Sequence, residues 1–408
     1  MKIAILVDLE LSEKSGGHVK FWERISNSLR REELDLSLVF FFLGKAKKKI
    51  YISKNITFKI NKPIFSTKIL NVFGIDADYT DLAPFNLSLL FQLRGFDIIH
   101  TTDQLFTMSK TAKIASRLWK IPLTTSYHTH APSYSKHYIT KILKKFPNII
   151  STFLVKKLDL PEKISNNQKL KIIDYFKISE LVFANKVLMN DFFYNNGNLP
   201  FIELKRGIEK HIFRKIDLDK KKILKKHSIS FDKKIILFCG RIHELKGAIL
   251  LSEVHALLKK RGHEITTIMS GENHQGDICK RIAGNNLIIL DYQSPESIAT
   301  LMNICDLFVF PSLYETGPQV VLEAKACNAV CVVSPNGGGN RIKKNFFDGV
   351  IISKYESKEW ANVISKLLNN PLKIKQIKEN LSYNNNQISW KEVFYQVFYD
   401  NWKKIIKK

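Results

Sequence analysis

Short apolar runs alternate with longer amphipathic stretches along the whole chain. In the first half the runs are Ile3–Val7, Leu36–Phe42, Ile98–Thr102, Leu123–Tyr127 and Leu181–Ala184. In the second half they are Lys234–Cys239, Ile265–Ser270, Leu287–Leu290, Leu307–Pro311 and Val330–Val333. Continuous apolar runs of this kind, separated by helices, are typical of parallel strands buried on both faces. The pattern predicts an α/β protein with two doubly wound sheets, whose ligands bind beyond the carboxyl ends of the strands.

The two series of strands also predict two domains. A turn-rich stretch, Asn195–Pro200, and a Lys-rich segment, Asp217–Lys226, place the boundary near residues 195–220. We therefore assign residues 1–200 to a first domain and residues 201–386 to a second. Residues 387–408 form a final amphipathic stretch with aromatic side chains at near-helical spacing.

Composition and charge narrow the class of protein. The chain has 408 residues, of which 45% are hydrophobic, so it folds into a globular structure. Lys and Arg number 64 against 38 Asp and Glu, a net charge of +26 that is spread over both halves. Because Lys dominates, this excess suits diffuse attraction to anionic surfaces, and we identify no nucleic-acid-reading module. The apolar runs are too short to span a membrane, and Lys2–Asp8 is interpreted as a strand that ends at Asp8, not as a signal peptide.

The cysteines predict a reducing compartment. There are five, an odd number, and most lie in or beside apolar runs, which is typical of buried free thiols. The pair Cys327 and Cys331 lacks the partners of a zinc site. We therefore predict no metal site and a cytoplasmic location.

Two motifs follow strands of the first domain. Gly16 and Gly17 precede a helix predicted over Val19–Leu29, where a ligand can approach backbone N–H groups, although an ordinary strand–helix turn fits as well. His128, in the run Tyr127–His130, can hydrogen-bond a ligand or stabilise charge, and the alternative is a packing or solvated histidine.

Two motifs follow strands of the second domain. Gly240 ends a strand, and Arg241 and Lys246 stand at the strand-to-helix junction, so they predict a diphosphate site unless they are only surface cations. Glu315 lies in a post-strand loop, and Glu323, with seven residues between the two, lies in a helix predicted to start at Pro318. Carboxylates accept hydrogen bonds, so this pair suits a hydroxyl-rich ligand, unless the two are a capping and a surface Glu.

These residues together resemble the retaining nucleotide-sugar glycosyltransferases of family 4. The match covers nearly the whole chain: a glycine-rich first loop, a His after a strand, Gly-Arg-x4-Lys-Gly, and Glu-x7-Glu. The resemblance implies the GT-B fold, with two Rossmann-like domains facing a central crevice and the segment 387–408 packing back on the first domain. Departures are Gly317-Pro318 where Phe-Gly is common, and Asn328-Ala329-Val330 where Gly-x-Pro is usual.

The resemblance also implies roles for the donor-side residues. Arg241 and Lys246 would bind the diphosphate, Glu323 the ribose and Glu315 the sugar. The glycines and the residues at the start of the Glu323 helix would add contacts to the donor: Gly16, Gly17, Gly240, Gly317, Gln319 and Val320. His128 would lie beside the transferring sugar, with His130 as the second candidate.

The implied activity is transfer of a hexose from a UDP- or GDP-linked sugar to a glycan or lipid-linked acceptor in cell-envelope synthesis. Protein cations would take the place of a metal ion, so no metal or other cofactor is expected. The alternatives are an epimerase or phosphorylase of the same fold and a non-catalytic subunit that binds a glycan or a partner protein.

A basic and apolar segment follows the His128 strand. Residues 136–157 carry six Lys and no acidic residue. Such a helix can lie on an anionic membrane, and the alternative is a helix packed on its own domain with a solvated Lys face. A peripheral position on the inner face of the cytoplasmic membrane is the corresponding expectation.

Overall fold

A computed structural model describes residues 1–12, 15–69, 79–128, 130–185, 199–226, 229–230, 232–313, 315, 317–383 and 387–407. The turn expected at 195–198 lies outside these residues. The chain divides into two compact units. The first unit comprises Met1–Arg206 with Trp390–Lys408, and the second comprises Gly207–Ser389.

The described strands of the first unit form one sheet in the order β3-β4-β2-β1-β5-β6-β7-β8. Their bounds are β1 Lys2–Glu10, β2 Ser37–Leu43, β3 Lys48–Tyr51, β4 Ile56–Asn61, β5 Ile98–Thr101, β6 Leu123–Tyr127, β7 Leu181–Ala184 and β8 Phe201–Glu203. All neighbours are parallel except β3, which pairs antiparallel with β4. The strands near the centre are buried because helices cover both faces of a parallel sheet.

The helices of the first unit connect these strands. Their bounds are α1 Gly17–Ser28, α2 Leu87–Gln92, α3 Thr107–Trp119, α4 Ala131–Leu143, α5 Asn148–Thr152 and α6 Leu160–Lys177, with a π-helix at Phe153–Lys157. The segment 136–157 is therefore not one helix, because Pro147 begins a new one at α5.

The described strands of the second unit form a parallel sheet in the order β11-β10-β9-β12-β13-β14. Their bounds are β9 Lys234–Cys239, β10 Ile265–Ser270, β11 Leu287–Leu290, β12 Leu307–Phe310, β13 Cys331–Val333 and β14 Val350–Ile351. The helices are α7 Lys220–Lys226, α8 Ala248–Lys260, α9 Gly276–Ala283, α10 Pro295–Ile304, α11 Gln319–Ala326, α12 Pro335–Gly338, α13 Ser357–Leu368 and α14 Pro371–Tyr383. Both units thus have the doubly wound α/β architecture that the apolar pattern predicts.

The chain returns to the first unit at its end. Helix α15 is Trp390–Val393, a π-helix follows at Phe394–Tyr399, and α16 is Asp400–Ile406. Phe398 and Trp402 are fully buried there, with ring centroids 5.6 and 5.4 Å from that of His100 in β5. The final helices therefore complete the core on one face of the first sheet.

Several predicted boundaries are shifted by one or two residues; the helix predicted over Val19–Leu29, for example, is α1, Gly17–Ser28. Strand β1 continues past Asp8 through Glu10, which pairs with Leu43 of β2 after a register shift. The buried carboxylate of Asp8 accepts hydrogen bonds from the Met108 amide at 2.7 Å and the Thr80 hydroxyl at 3.2 Å. Helix α11 begins at Gln319, because Pro318 has extended backbone angles and serves as the N-cap.

Candidate functional site

His128 lies directly after β6, in an aromatic cluster of the first unit. Its ring stacks on His18 with centroids 4.5 Å apart, and Phe21 meets it edge-on at 4.8 Å. His128 Nε2 lies 2.8 Å from Ser126 Oγ, which in turn lies 3.0 Å from His100 Nε2. The cluster fixes the imidazole of His128 in position and leaves it only 4% exposed.

Burial keeps these imidazoles neutral near pH 7. It lowers the pKa of His100 to about 3, and burial together with the charge of Arg206 lowers the pKa of His18 to about 3. Burial first, and then the charges of His18 and Arg206, holds the pKa of His128 well below its ordinary value. The sequence suggested that His128 either hydrogen-bonds a ligand or stabilises charge. A neutral imidazole in this buried environment suits hydrogen bonding better than stabilisation by a positive charge of its own.

The neighbouring candidates of the first unit differ in what the structure gives them. Gly16 is the N-cap of α1, and a Cβ on Gly16 or Gly17 would meet no described atom within 4 Å, so packing does not require glycine there. His130 is the N-cap of α4, with Nδ1 accepting the Ser133 amide at 3.2 Å. That contact gives His130 a structural role in starting the helix.

In the second unit, glycines allow a tight turn at the end of β9. Gly240 has φ +153°, and a Cβ on Gly271 would lie 2.2 Å from the Gly240 carbonyl oxygen. Arg241 follows immediately and is partly buried. Gly247 has φ +84° and approaches the Pro311 backbone, so the β9 and β12 strand ends lie against each other.

This close approach brings Lys246 and Glu315 together. Lys246 Nζ lies 2.5 Å from Glu315 Oε1, and both side chains are less than one-fifth exposed. The hydroxyl of Ser312 donates to the Leu245 carbonyl at 3.1 Å and lies 3.5 Å from Glu315 Oε1. The sequence motifs that predicted a diphosphate cation and a sugar-binding carboxylate therefore form one ion pair.

The other donor-side candidates lie at or within α11. Glu323 is only 6% exposed, and its charge adds to burial in raising the pKa of the Cys239 thiol at the end of β9. Gly317 has φ +156°, which favours glycine, while Val320 packs on the core. Gln319 Nε2 donates to the Gly207 carbonyl at 2.8 Å, a contact within the second unit that anchors the helix start.

A second buried ion pair, which sequence reasoning missed, supports α11. Lys325 Nζ lies 2.6 Å from Asp348 Oδ2 and 2.6 Å from the Arg341 carbonyl oxygen. Burial alone would raise the pKa of Asp348, but hydrogen bonds and the charge of Lys325 outweigh it and lower the pKa. The two residues lie 23 positions apart in the chain, in no pattern that predicts their contact.

The described residues were also searched for a metal-binding cluster, a disulfide bond and a membrane-spanning helix. No group of three His, Cys, Asp or Glu side chains in the described ranges is placed to hold a metal ion. All five cysteines are buried free thiols. In the described part of the chain, we find no helix with the length and apolar character needed to traverse a bilayer.

The fold is that of the GT-B glycosyltransferases, which have two Rossmann-like domains. The HepE protein of Anabaena in complex with UDP is similar over 99% of this chain and 100% of its own, with a TM-score of 0.68 and 17% identity. Sucrose-phosphate synthase from Thermosynechococcus elongatus is similar over 100% of this chain and 99% of its own, with a TM-score of 0.72 and 13% identity.

Residues 219–386 match the family model described as glycosyl transferases group 1. The second unit therefore contains a glycosyltransferase group 1 domain. An Escherichia coli relative, UDP-Gal:alpha-D-GlcNAc-diphosphoundecaprenol alpha-1,3-galactosyltransferase, is 25% identical over 301 residues, 69% of each chain. Matches to three other curated glycosyltransferases span only 28%, 34% and 40% of those proteins.

Proposed function

We propose that this chain is a retaining glycosyltransferase of family 4 that transfers a hexose from a nucleotide diphosphate sugar to a glycan or lipid-linked acceptor. The observation that carries the proposal is the Lys246–Glu315 pair, which is located at adjoining strand ends of the group 1 domain. Arg241 and the buried Glu323 lie at the end of β9 and in the helix after β12. Ligands of doubly wound sheets bind at such strand ends.

The reaction breaks the bond between the anomeric carbon and a phosphate oxygen and forms a bond from that carbon to an acceptor hydroxyl. Negative charge grows on the leaving diphosphate. Arg241 and Lys246 stabilise it, which is the electrostatic contribution that a divalent metal supplies elsewhere, so transfer proceeds without metal. Glu323 accepts hydrogen bonds from the ribose and Glu315 from the sugar. The acceptor proton passes to an oxygen of the departing phosphate.

His128 serves this reaction as a neutral hydrogen-bonding group beside the transferring sugar. Its burial supports that role, because a neutral imidazole offers one donor and one acceptor without adding charge to the site. Gly16 and Gly17, at the start of α1, let the donor phosphate and the acceptor approach the backbone closely.

A panel of UDP- and GDP-linked sugars, with product release followed by mass spectrometry, tests the proposal. Lys246→Ala and Glu323→Ala should each lower kcat/KM by roughly 100-fold or more. Lys358→Ala, an exposed lysine of the same unit, is the matched control and should retain full activity. Full turnover by Lys246→Ala would refute the site. Turnover of the nucleotide sugar to an epimer, without any acceptor, would instead favour the epimerase alternative.

A lipid-linked acceptor is supported by a surface of the first unit that suits an anionic membrane. We define the basic apolar segment as residues 136–157. Ile149 is 87% exposed, and Phe146, Ile150 and Phe153 are each about half exposed. The segment has six lysines and no acidic residue, so apolar side chains and cations lie together in an exposed region. The proposed location is the inner face of the cytoplasmic membrane.

Vesicle flotation tests this surface. The protein should float with vesicles that contain anionic lipid at low salt and remain unbound with zwitterionic vesicles. Replacing Ile149 and Phe153 by Gln, or Lys144 and Lys145 by Gln, should reduce the bound fraction. A control that replaces Lys222 and Lys225, two exposed lysines of α7, by Gln should bind as the wild type does. Equal binding by all variants would exclude the segment as the contact surface.

A further inference from the structure

A buried hydrogen-bond chain leads from the final helix to His128. Trp402 Nε1 lies 3.3 Å from Thr124 Oγ1, which lies 2.9 Å from His100 Nδ1. His100 Nε2 lies 3.0 Å from Ser126 Oγ, and Ser126 Oγ lies 2.8 Å from His128 Nε2. All five side chains are at most 4% exposed. The chain exists because Thr124 and Ser126 alternate along β6 on one face, opposite His100 of β5 in register.

The direction of this chain follows from its first member. An indole N–H only donates, so Thr124 Oγ1 accepts from Trp402. The one hydroxyl hydrogen of Thr124 then goes to His100 Nδ1, because the opposite arrangement leaves that buried hydrogen without an acceptor in the chain. His100 therefore carries its proton on Nε2 and donates to Ser126. Ser126 has one hydrogen as well, and it gives that hydrogen to His128 Nε2.

We propose that Trp402, through the positioning residues Thr124, His100 and Ser126, holds His128 as the tautomer with its proton on Nδ1. If His128 donated from Nε2 instead, the Ser126 hydroxyl hydrogen would lose its acceptor, unless His100 and Thr124 reversed as well. That concerted change leaves the buried Thr124 hydroxyl hydrogen without an acceptor in the chain. With the tautomer fixed, every molecule presents the same donor at His128 Nδ1. Only the kinetic consequence of this inference depends on the proposed function.

Nuclear magnetic resonance of the full chain with ¹⁵N-labelled histidine measures the tautomers directly. Long-range ¹H–¹⁵N correlations should show His128 protonated on Nδ1 and His100 on Nε2 in the wild-type protein. Trp402→Phe removes the fixed donor, so a second His128 form with its proton on Nε2 should appear. Trp390→Phe is the matched control, since Trp390 is buried in the same terminal segment but takes no part in the chain. A wild-type His128 protonated on Nε2 overturns the inference, even if Trp402→Phe does not fold.

Kinetics supply a separate test at Thr124. Thr124→Val removes the hydroxyl and should lower kcat about 10-fold with little change in KM for the donor, whereas Thr124→Ser should restore kcat. A shifted tautomer with unchanged kcat overturns the kinetic part. If the wild-type protein transfers no sugar at all, the proposed function fails, while the resonance measurement still decides the tautomer.

Discussion

Replacing Lys325 by Met should destabilise the second unit strongly, because it leaves a buried carboxylate without its cation. The Lys325 side chain is 11% exposed and that of Asp348 is 1% exposed. Asp348 would keep two backbone donors, the amides of Lys343 and Lys344 at 2.9 and 3.0 Å. Breaking a buried pair by removing one partner costs about 3–5 kcal/mol, and the surviving hydrogen bonds place the loss near the lower end, at about 3 kcal/mol.

The double-mutant cycle with Asp348→Asn separates lost charge pairing from lost packing. In the Lys325→Met background, Asp348→Asn removes the unpaired charge and should recover about 1–2 kcal/mol. Pulse-labelling hydrogen exchange across a urea titration, read from peptides of β9 and α11, measures the unfolding free energy of the second unit at pH 7. A loss below about 1 kcal/mol for Lys325→Met, or simple additivity in the cycle, would refute this reasoning.

Further predictions concern backbone strain and pH. Gly247→Ala places a Cβ 2.4 Å from the Pro311 carbonyl oxygen at φ +84° and should cost at least about 2 kcal/mol. Gly262→Ala has the same φ with open space around it, so the same urea assay should show only about 1 kcal/mol. His100, whose folded pKa is about 3, binds fewer protons when folded than when unfolded, so its contribution to stability falls as pH drops below about 6.5. From pH 7.5 to 5 the wild-type protein should lose about 2 kcal/mol more than His100→Gln, and equal losses would contradict the buried neutral assignment.

The apolar pattern was enough to predict the central strands, because parallel strands covered on both faces have few polar positions. It missed β3, β4, β8 and β14. Strand β3, with sequence Lys-Lys-Ile-Tyr, is mostly exposed at the sheet edge, and β4 mixes buried and half-buried positions. Strands β8 and β14 have only three and two residues. Strands that are very short, or that have exposed positions at or next to a sheet edge, lack the continuous burial that makes a strand recognisable in a sequence.

The positions of Arg241 and Lys246 in the fold were predictable because strand ends and glycines fix their location in the chain. Gly240 and Gly247 adopt positive φ values at the turns that carry Arg241 and Lys246. The pairing of Lys246 with Glu315 was not predictable, since 69 residues separate them and the contact depends on how β9 and β12 adjoin. The same holds for Lys325 with Asp348, which meet only after β13 and β14 pair.

The candidate residues of the second unit are charged, whereas those of the first unit are neutral histidines. This difference explains which properties of the site can be predicted from the sequence. In the second unit, Lys246 and Glu315 are ionic side chains, and their residue types alone suggest recognition of a diphosphate and of hydroxyl groups. In the first unit, His100 and His128 are neutral because burial disfavours their charge. Residue type cannot reveal that neutrality or the tautomer that accompanies it. The neutrality depends on burial in the folded unit, and the tautomer depends on a hydrogen-bond chain whose first donor, Trp402, lies 278 residues from Thr124 in the sequence. A neutral imidazole with a fixed tautomer at His128 is therefore a property of the folded first unit, and it can be tested there independently of the donor sugar.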